Sequence, residues 1–279
     1  MGEVRGAMAC VREAWRDFRW VEYRPFAWIM AAQLLFVICA MNLGSAWGVA
    51  GAGWLLRTAG EPAVHYPASF LFMSYAYARF ESILFALAGS FLIPLSLARI
   101  QAPMAGMPPT GRETVGRAVR AYRATFVGYL ISFALLIAWE FLLQAGPRRW
   151  IHVVLGGFKG DVATWLVGVL VAFAVAAIFV YVPIRAVETG ATFRGALWGG
   201  ILEGLRSFVP TFVIVLVFVW PTLILFAPIQ LRSMLLVTRF RPELIAVLLA
   251  MAAVLSSFVN YFVYSAAARY HWLAGKEPE

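Results

Sequence analysis

Apolar and polar positions alternate along this chain in long blocks, not in the short periods of a soluble fold. Apolar runs cover about residues 26–49, 78–97, 125–145, 162–184, 209 onward and 244–266. Each is near the roughly 20 residues that carry a helix across a bilayer core at about 1.5 Å per residue. The pattern predicts an all-α polytopic membrane protein with six transmembrane helices. The run from Ser69 to Ile100 exceeds one span, so Phe70 to Tyr77 is expected partly in the outer interface. Pro94 predicts a kink, and Pro210, Pro221 and Pro228 predict an irregular fifth span, because each proline removes a helix hydrogen bond.

Three of the spans are preceded by amphipathic stretches. Val4, Met8, Val11, Trp15 and Phe18 step by three or four residues and share one helix face. Val115, Val119 and Tyr122 repeat the pattern before the third span, and Phe193, Leu197, Ile201, Leu205 and Phe208 before the fifth. Such a stripe either packs on the protein's own spans or lies in the membrane surface, and the first is the simpler expectation. The chain thus reads as one membrane domain, 1–279, built from three units of interfacial helix, outward span and inward span. The units cover about residues 3–100, 108–187 and 188–275. Their inward spans end alike, in PLSLARI at 94–100, VPIRAVE at 182–188 and YSAAARY at 264–270. Two spans per unit make the repeats parallel, which predicts a pseudo-threefold arrangement with all three amphipathic helices on the cytoplasmic side.

Composition agrees with this pattern. Hydrophobic residues make up 62% and charged residues 13%, with a mean hydropathy of +0.80, whereas soluble domains carry about 25% charged residues. The net charge of +9 does not indicate nucleic acid, because the basic residues cluster beside the apolar runs. Fifteen of the 23 Lys and Arg fall in the two ends and the second and fourth loops, against seven in the other loops. That bias predicts both termini in the cytoplasm. Arg, Ala, Gly and Trp richness suggests a high-GC bacterial genome, hence a bacterial inner membrane. The first 25 residues mix charge signs and lack the apolar core of a signal peptide. Cys10 and Cys39 form no CxxC and are not expected to pair.

Candidate chemistry is sparse. Arg79, Glu81, Glu140 and Asn260 are polar groups inside predicted spans, where ionisable residues are first read as functional. Glu81 and Glu140 fall at similar depth, about 24 and 22 Å from the inner face at 1.5 Å per residue. Structural use is the expectation, with Arg79 paired to Glu140 or snorkelling to the outer interface. His65, His152 and His271 share no helix face, and HExxH, GxSxG and P-loop patterns are missing from the sequence. No catalytic residue, metal ligand or cofactor site is assigned.

Two stretches, AVETGATFRGALWGGILEGLRSFVP at 186–210 and VNYFVYSAAARYHWLAG at 259–275, are similar to parts of six-span bacterial membrane proteins. These are the YciC-like proteins and the membrane domain attached to some glycerophosphoryl diester phosphodiesterases. VREAWRDFRW at 11–20 has the same habit of a basic amphipathic helix before a span. The resemblance implies a six-helix membrane domain with no defined activity, and it carries over no functional residue. The expected function is a non-enzymatic membrane scaffold or accessory subunit. Arg12, Arg16, Arg19, Arg117, Arg120, Arg194 and Arg206 would form a basic cytoplasmic collar on anionic lipid headgroups or another membrane protein. The alternatives are a permease subunit working with an ATPase in an exporter and, less favoured, an intramembrane enzyme.

Overall fold

The computed structural model describes residues 2–42, 68–106, 108, 111–188 and 191–274, and among these there are helices and no strands. In chain order the helices are α1 (Gly2–Arg16), α2 (Trp20–Met41), α3 (Ala68–Leu84), α4 (Ser90–Met104), α5 (Arg112–Ala145), α6 (Pro147–Leu155), α7 (Gly157–Phe179), α8 (Tyr181–Ala186), α9 (Phe193–Arg206), α10 (Phe208–Arg239) and α11 (Glu243–Ala274). A π-helical turn, Phe85–Gly89, joins α3 to α4. Six helical stretches are long and apolar enough to cross a membrane: Trp20–Met41, Phe70–Met104, Arg112–Ala145, Gly157–Ala186, Phe208–Ser233 and Glu243–Ala274.

Where the helices break differs from the expectation in three places. The second amphipathic stretch is not a separate helix. It forms the first turns of α5, which runs unbroken for 34 residues, because nothing between Arg117 and Thr125 interrupts a helix. The loop expected at 146–161 contains α6, closed by Gly156 at φ +70°, a conformation that glycine adopts without a Cβ penalty. The fifth span keeps its helix through Pro221 and Pro228, and the break falls at Arg232 (φ −143°, ψ 28°), after which the helix resumes to Arg239. Pro210, in the first turn of α10, costs no hydrogen bond there. The Gly-rich outer end of the first span and the loop with Pro62, His65 and Pro67 lie outside the described residues.

The chain forms two compact units. The first comprises Met1–Ala27, Phe85–Val219 and Phe258–Glu279, and the second Trp28–Leu84 and Trp220–Ser257. The first unit buries Ile93, Leu97, Tyr181, Ile184, Ile214 and Tyr261 almost completely. At one of its ends a ring cluster gathers, in which Tyr23 stacks on Phe258 at 4.6 Å and Phe18 meets Tyr261 edge-on at 5.3 Å. The second unit has an apolar core of Val37, Phe70, Met73, Ile229, Ile245 and Leu249, with Tyr77 among them.

Candidate functional site

The polar chemistry of the first unit gathers at the end that carries α1 and α9, and it begins with how these helices dock. Helix α1 turns Ala7, Cys10 and Ala14 inward, each fully buried. Of its large apolar residues Val4 and Met8 are exposed, and Trp15, though 66% exposed, stacks on Phe262 at 4.7 Å. Helix α9 repeats this. Thr192 caps its start by accepting from the Gly195 N–H, and Ala196, Gly200 and Gly204 face inward. A Cβ at Gly200 would stand 2.6 Å from Val182 Cα, and one at Gly204 would run into the Ile178 carbonyl oxygen. Phe193, Trp198, Leu202 and Leu205 are left exposed. At the start of α5, Thr114, Arg117, Ala118 and Ala121 are buried while Val115 and Val119 are exposed. Small residues allow close helix approach, so in all three stretches the small-residue face docks. The large stripe is divided: Trp15 and Phe18 meet rings of α11 and Leu197 of α9 is buried, whereas Val4, Met8, Phe193 and Leu205 are exposed.

Arginines near the ends of the inward spans fasten this layer. Arg269 of α11 donates to Asp17 at 3.0 Å and lies 4.0 Å from Glu13 of α1. Arg99 of α4 donates to the Val21 carbonyl at 2.8 Å. Arg185 of α8 sits in a closed ring of four side chains. Its Nη1 and Nη2 donate to Glu188 Oε2 at 3.1 Å and Glu203 Oε2 at 2.8 Å. The other oxygens of the same carboxylates take His271, Glu188 Oε1 at Nε2 (2.6 Å) and Glu203 Oε1 at Nδ1 (3.1 Å). Only the doubly protonated imidazole donates from both nitrogens. In that state two positive and two negative groups cancel. Hydrogen bonding from His271 outweighs burial, and with Arg185 it holds the Glu203 carboxyl down to about 2. Burial of Glu188 works against ionisation, but His271 and Arg185 together leave its carboxyl below the ordinary range.

A second network lies beside it. Glu22 is nearly buried and accepts from the Tyr261 hydroxyl at 3.0 Å, and its carbonyl accepts from Ser96 Oγ at 2.6 Å. Arg19 approaches its carboxylate at 4.0 Å. Burial, with Glu13 nearby, pushes the Cys10 thiol up to about 11, so it is an inert small residue rather than a reactive one.

Among the proposed collar residues, Arg12, Arg16, Arg19, Arg120, Arg194 and Arg206 are exposed. Arg117 is not: it is buried and donates to Glu113 at 2.6 Å, so it belongs to the docking face of α5. Of the intramembrane polar groups, Arg79 lies over the Tyr75 ring at 5.1 Å and Glu81 accepts from Gln33 Nε2 at 2.9 Å. Glu140 is exposed on α5 and Asn260 half-buried on α11. The pairing of Arg79 with Glu140 stays an expectation. The Arg185 ring escaped sequence reasoning because, Arg185 and Glu188 apart, its bonded partners lie 18 to 83 residues from one another. One signal was available: Glu188 and Glu203 fall in the polar-punctuated stretch 186–210 and His271 in 259–275.

No family model, curated protein or solved structure matches the chain.

Proposed function

We propose that this chain is a non-enzymatic integral membrane scaffold or accessory subunit. It presents a basic amphipathic collar to anionic lipid headgroups on the cytoplasmic side of a bacterial inner membrane. One observation carries the reading: three amphipathic stretches bury faces rich in small residues and leave several large apolar side chains and, Arg117 apart, their arginines exposed. That orientation suits a bilayer interface, where apolar side chains enter the acyl boundary and guanidinium groups meet phosphates. The threefold repeat is part of the reading, supported by Arg185 and Arg269, which each reach a carboxylate on an amphipathic helix.

The test is lipid analysis of the protein extracted in gentle detergent and of a variant with Arg12, Arg16, Arg120, Arg194 and Arg206 changed to Gln. Each contact near an anionic surface contributes about 1 kcal/mol. Anionic lipid is expected to co-purify with the native chain and to fall away in the variant. A correctly inserted variant with an unchanged lipid and protein profile would leave these arginines only the role of setting orientation.

A further inference from the structure

The second unit holds one polar feature that its own residues do not complete. Gln33 of α2 is 1% exposed and donates through Nε2 to Glu81 Oε1 of α3 at 2.9 Å. Its other amide atom, Oε1, is buried with no partner among the described residues. Tyr77 stands one turn before Glu81 on the same face of α3, is 1% exposed, and its hydroxyl is also buried without a partner. Orphaned buried polar atoms are uncommon and each costs about 1–3 kcal/mol, so two beside one carboxyl group ask for an explanation.

Among the described residues no cation is paired with Glu81. Arg79 is turned to the Tyr75 ring, and among the described residues Glu81 is held by Gln33. The other charged residues of the helices in this unit, Arg232, Arg239 and Glu243, lie at or near helix ends. Gln33 and Glu81 are well inside their spans, roughly 12 and 16 Å along the helices from Met41 and Phe70 at 1.5 Å per residue. A lone carboxylate at that depth has no compensating charge.

We propose that Glu81 is a proton-binding site within the membrane. A carboxylate is acceptor-only and makes one bond to the Gln33 amide. A carboxylic acid also donates. With a hydrogen on its second oxygen, Glu81 gives a bond to Gln33 Oε1 while keeping the bond from Nε2, and the acid–amide pair closes with both amide atoms used. The atom left orphaned is the acceptor that this added hydrogen requires. Glu81 is half-buried as a residue, so it is not sealed inside the unit. The π-helical turn Phe85–Gly89 begins four residues further along the chain, and such turns recur at functional sites. The inference is independent of the lipid collar, which involves none of these residues.

Two measurements on the whole protein in lipid nanodiscs test it. Dicyclohexylcarbodiimide enters membranes and converts protonated carboxyl groups into stable acylureas. At neutral pH the adduct is expected on the peptide carrying Glu81 and is expected to vanish in E81Q. Infrared spectra should show a carboxylic-acid carbonyl band that shifts in deuterium oxide, is lost in E81Q, and moves to higher frequency in Q33L, which keeps Glu81 but removes its hydrogen bond. Q33L keeps the test open if E81Q does not fold. The proposal is overturned if E81Q loses a carboxylate band instead. It is equally overturned if the Glu81 bands respond to exchange of sodium for potassium, which would assign a metal cation to the site.

Discussion

The two units treat their buried carboxylates differently, although each also holds buried polar atoms with no partner among the described residues, such as Arg185 Nε in the first. In the first, carboxylates, guanidinium groups and an imidazole are joined into networks in which Glu188 and Glu203 each use both oxygens. In the second, an apolar core surrounds a single amide–carboxyl contact with two unpartnered atoms at its side. Networks in which each carboxylate is held on both oxygens fasten helices to one another, because removing a member strands its partners. An uncompleted one fastens little and leaves room for a ligand. The contrast separates polar residues that hold the fold from those that remain available.

The strongest way to break the first unit is steric. Gly204→Leu forces a side chain into the backbone of α7, and overpacking of this kind costs about 3 kcal/mol. The expected result is a large fall in the thermal midpoint in detergent, whereas Gly199→Leu, with no atom within 4 Å of its built Cβ, should be mild.

Acid is the next lever. The Glu203 carboxyl titrates near 2 in the folded protein and at its ordinary 4.5 when unfolded. Its contribution is therefore complete above 4.5 and lost as pH falls toward 2, up to about 3 kcal/mol at 1.36 kcal/mol per pH unit. A plot of thermal midpoint against pH should fall through that window in the native chain and flatten in E203Q. Equal slopes for both would place the acid sensitivity elsewhere.

A matched pair of substitutions sharpens the comparison further. Tyr181 and Tyr77 are both buried tyrosines, one in each unit. Thr211 donates its single hydroxyl hydrogen to the Ser207 carbonyl at 2.7 Å, so the Tyr181 hydroxyl donates to Thr211 Oγ1 at 2.8 Å. Tyr181→Phe should cost about 1 kcal/mol, and Tyr77→Phe, which deletes an unpartnered hydroxyl, should cost nothing or stabilise. The smallest effect is at Cys10, which a maleimide at neutral pH should leave unmodified in the folded protein and label only after denaturation. Arg79 and Glu140 remain to be tried by a double-mutant cycle, in which a coupling near zero removes the expected pair.

Much of the architecture was readable from the sequence because the spans depend on local composition. Six apolar runs became six candidate spans, and the amphipathic stretches at 3–20 and 190–206 became α1 and α9. Which face of those helices would dock was not readable from the stripe. Hydrophobic periodicity marks the apolar side, but in a bilayer apolar side chains have two places to go. The deciding signal was the second periodicity: Ala7, Cys10 and Ala14, and Ala196, Gly200 and Gly204, step at helical intervals. The merger of the amphipathic start of α5 with its span was equally hidden, since Val115 to Tyr122 look alike whether or not the helix continues. Glu81 was recognised as unusual, yet its partner Gln33 lies 48 residues away and was visible only as a polar residue in another span.

Helix α1 has a consequence for how the protein is made. Its partner is on α11: Glu13, and Asp17 just after the helix, wait for Arg269, which follows Asp17 by 252 residues. At a synthesis rate of about 5–20 residues per second, that is a delay on the order of 10–50 s. For that interval α1 exists without its docking site, its buried face of Ala7, Cys10 and Ala14 uncovered. A ribosome stalled before α11 would therefore display a free amphipathic helix, and its release from protease sensitivity would time the closing of the first unit.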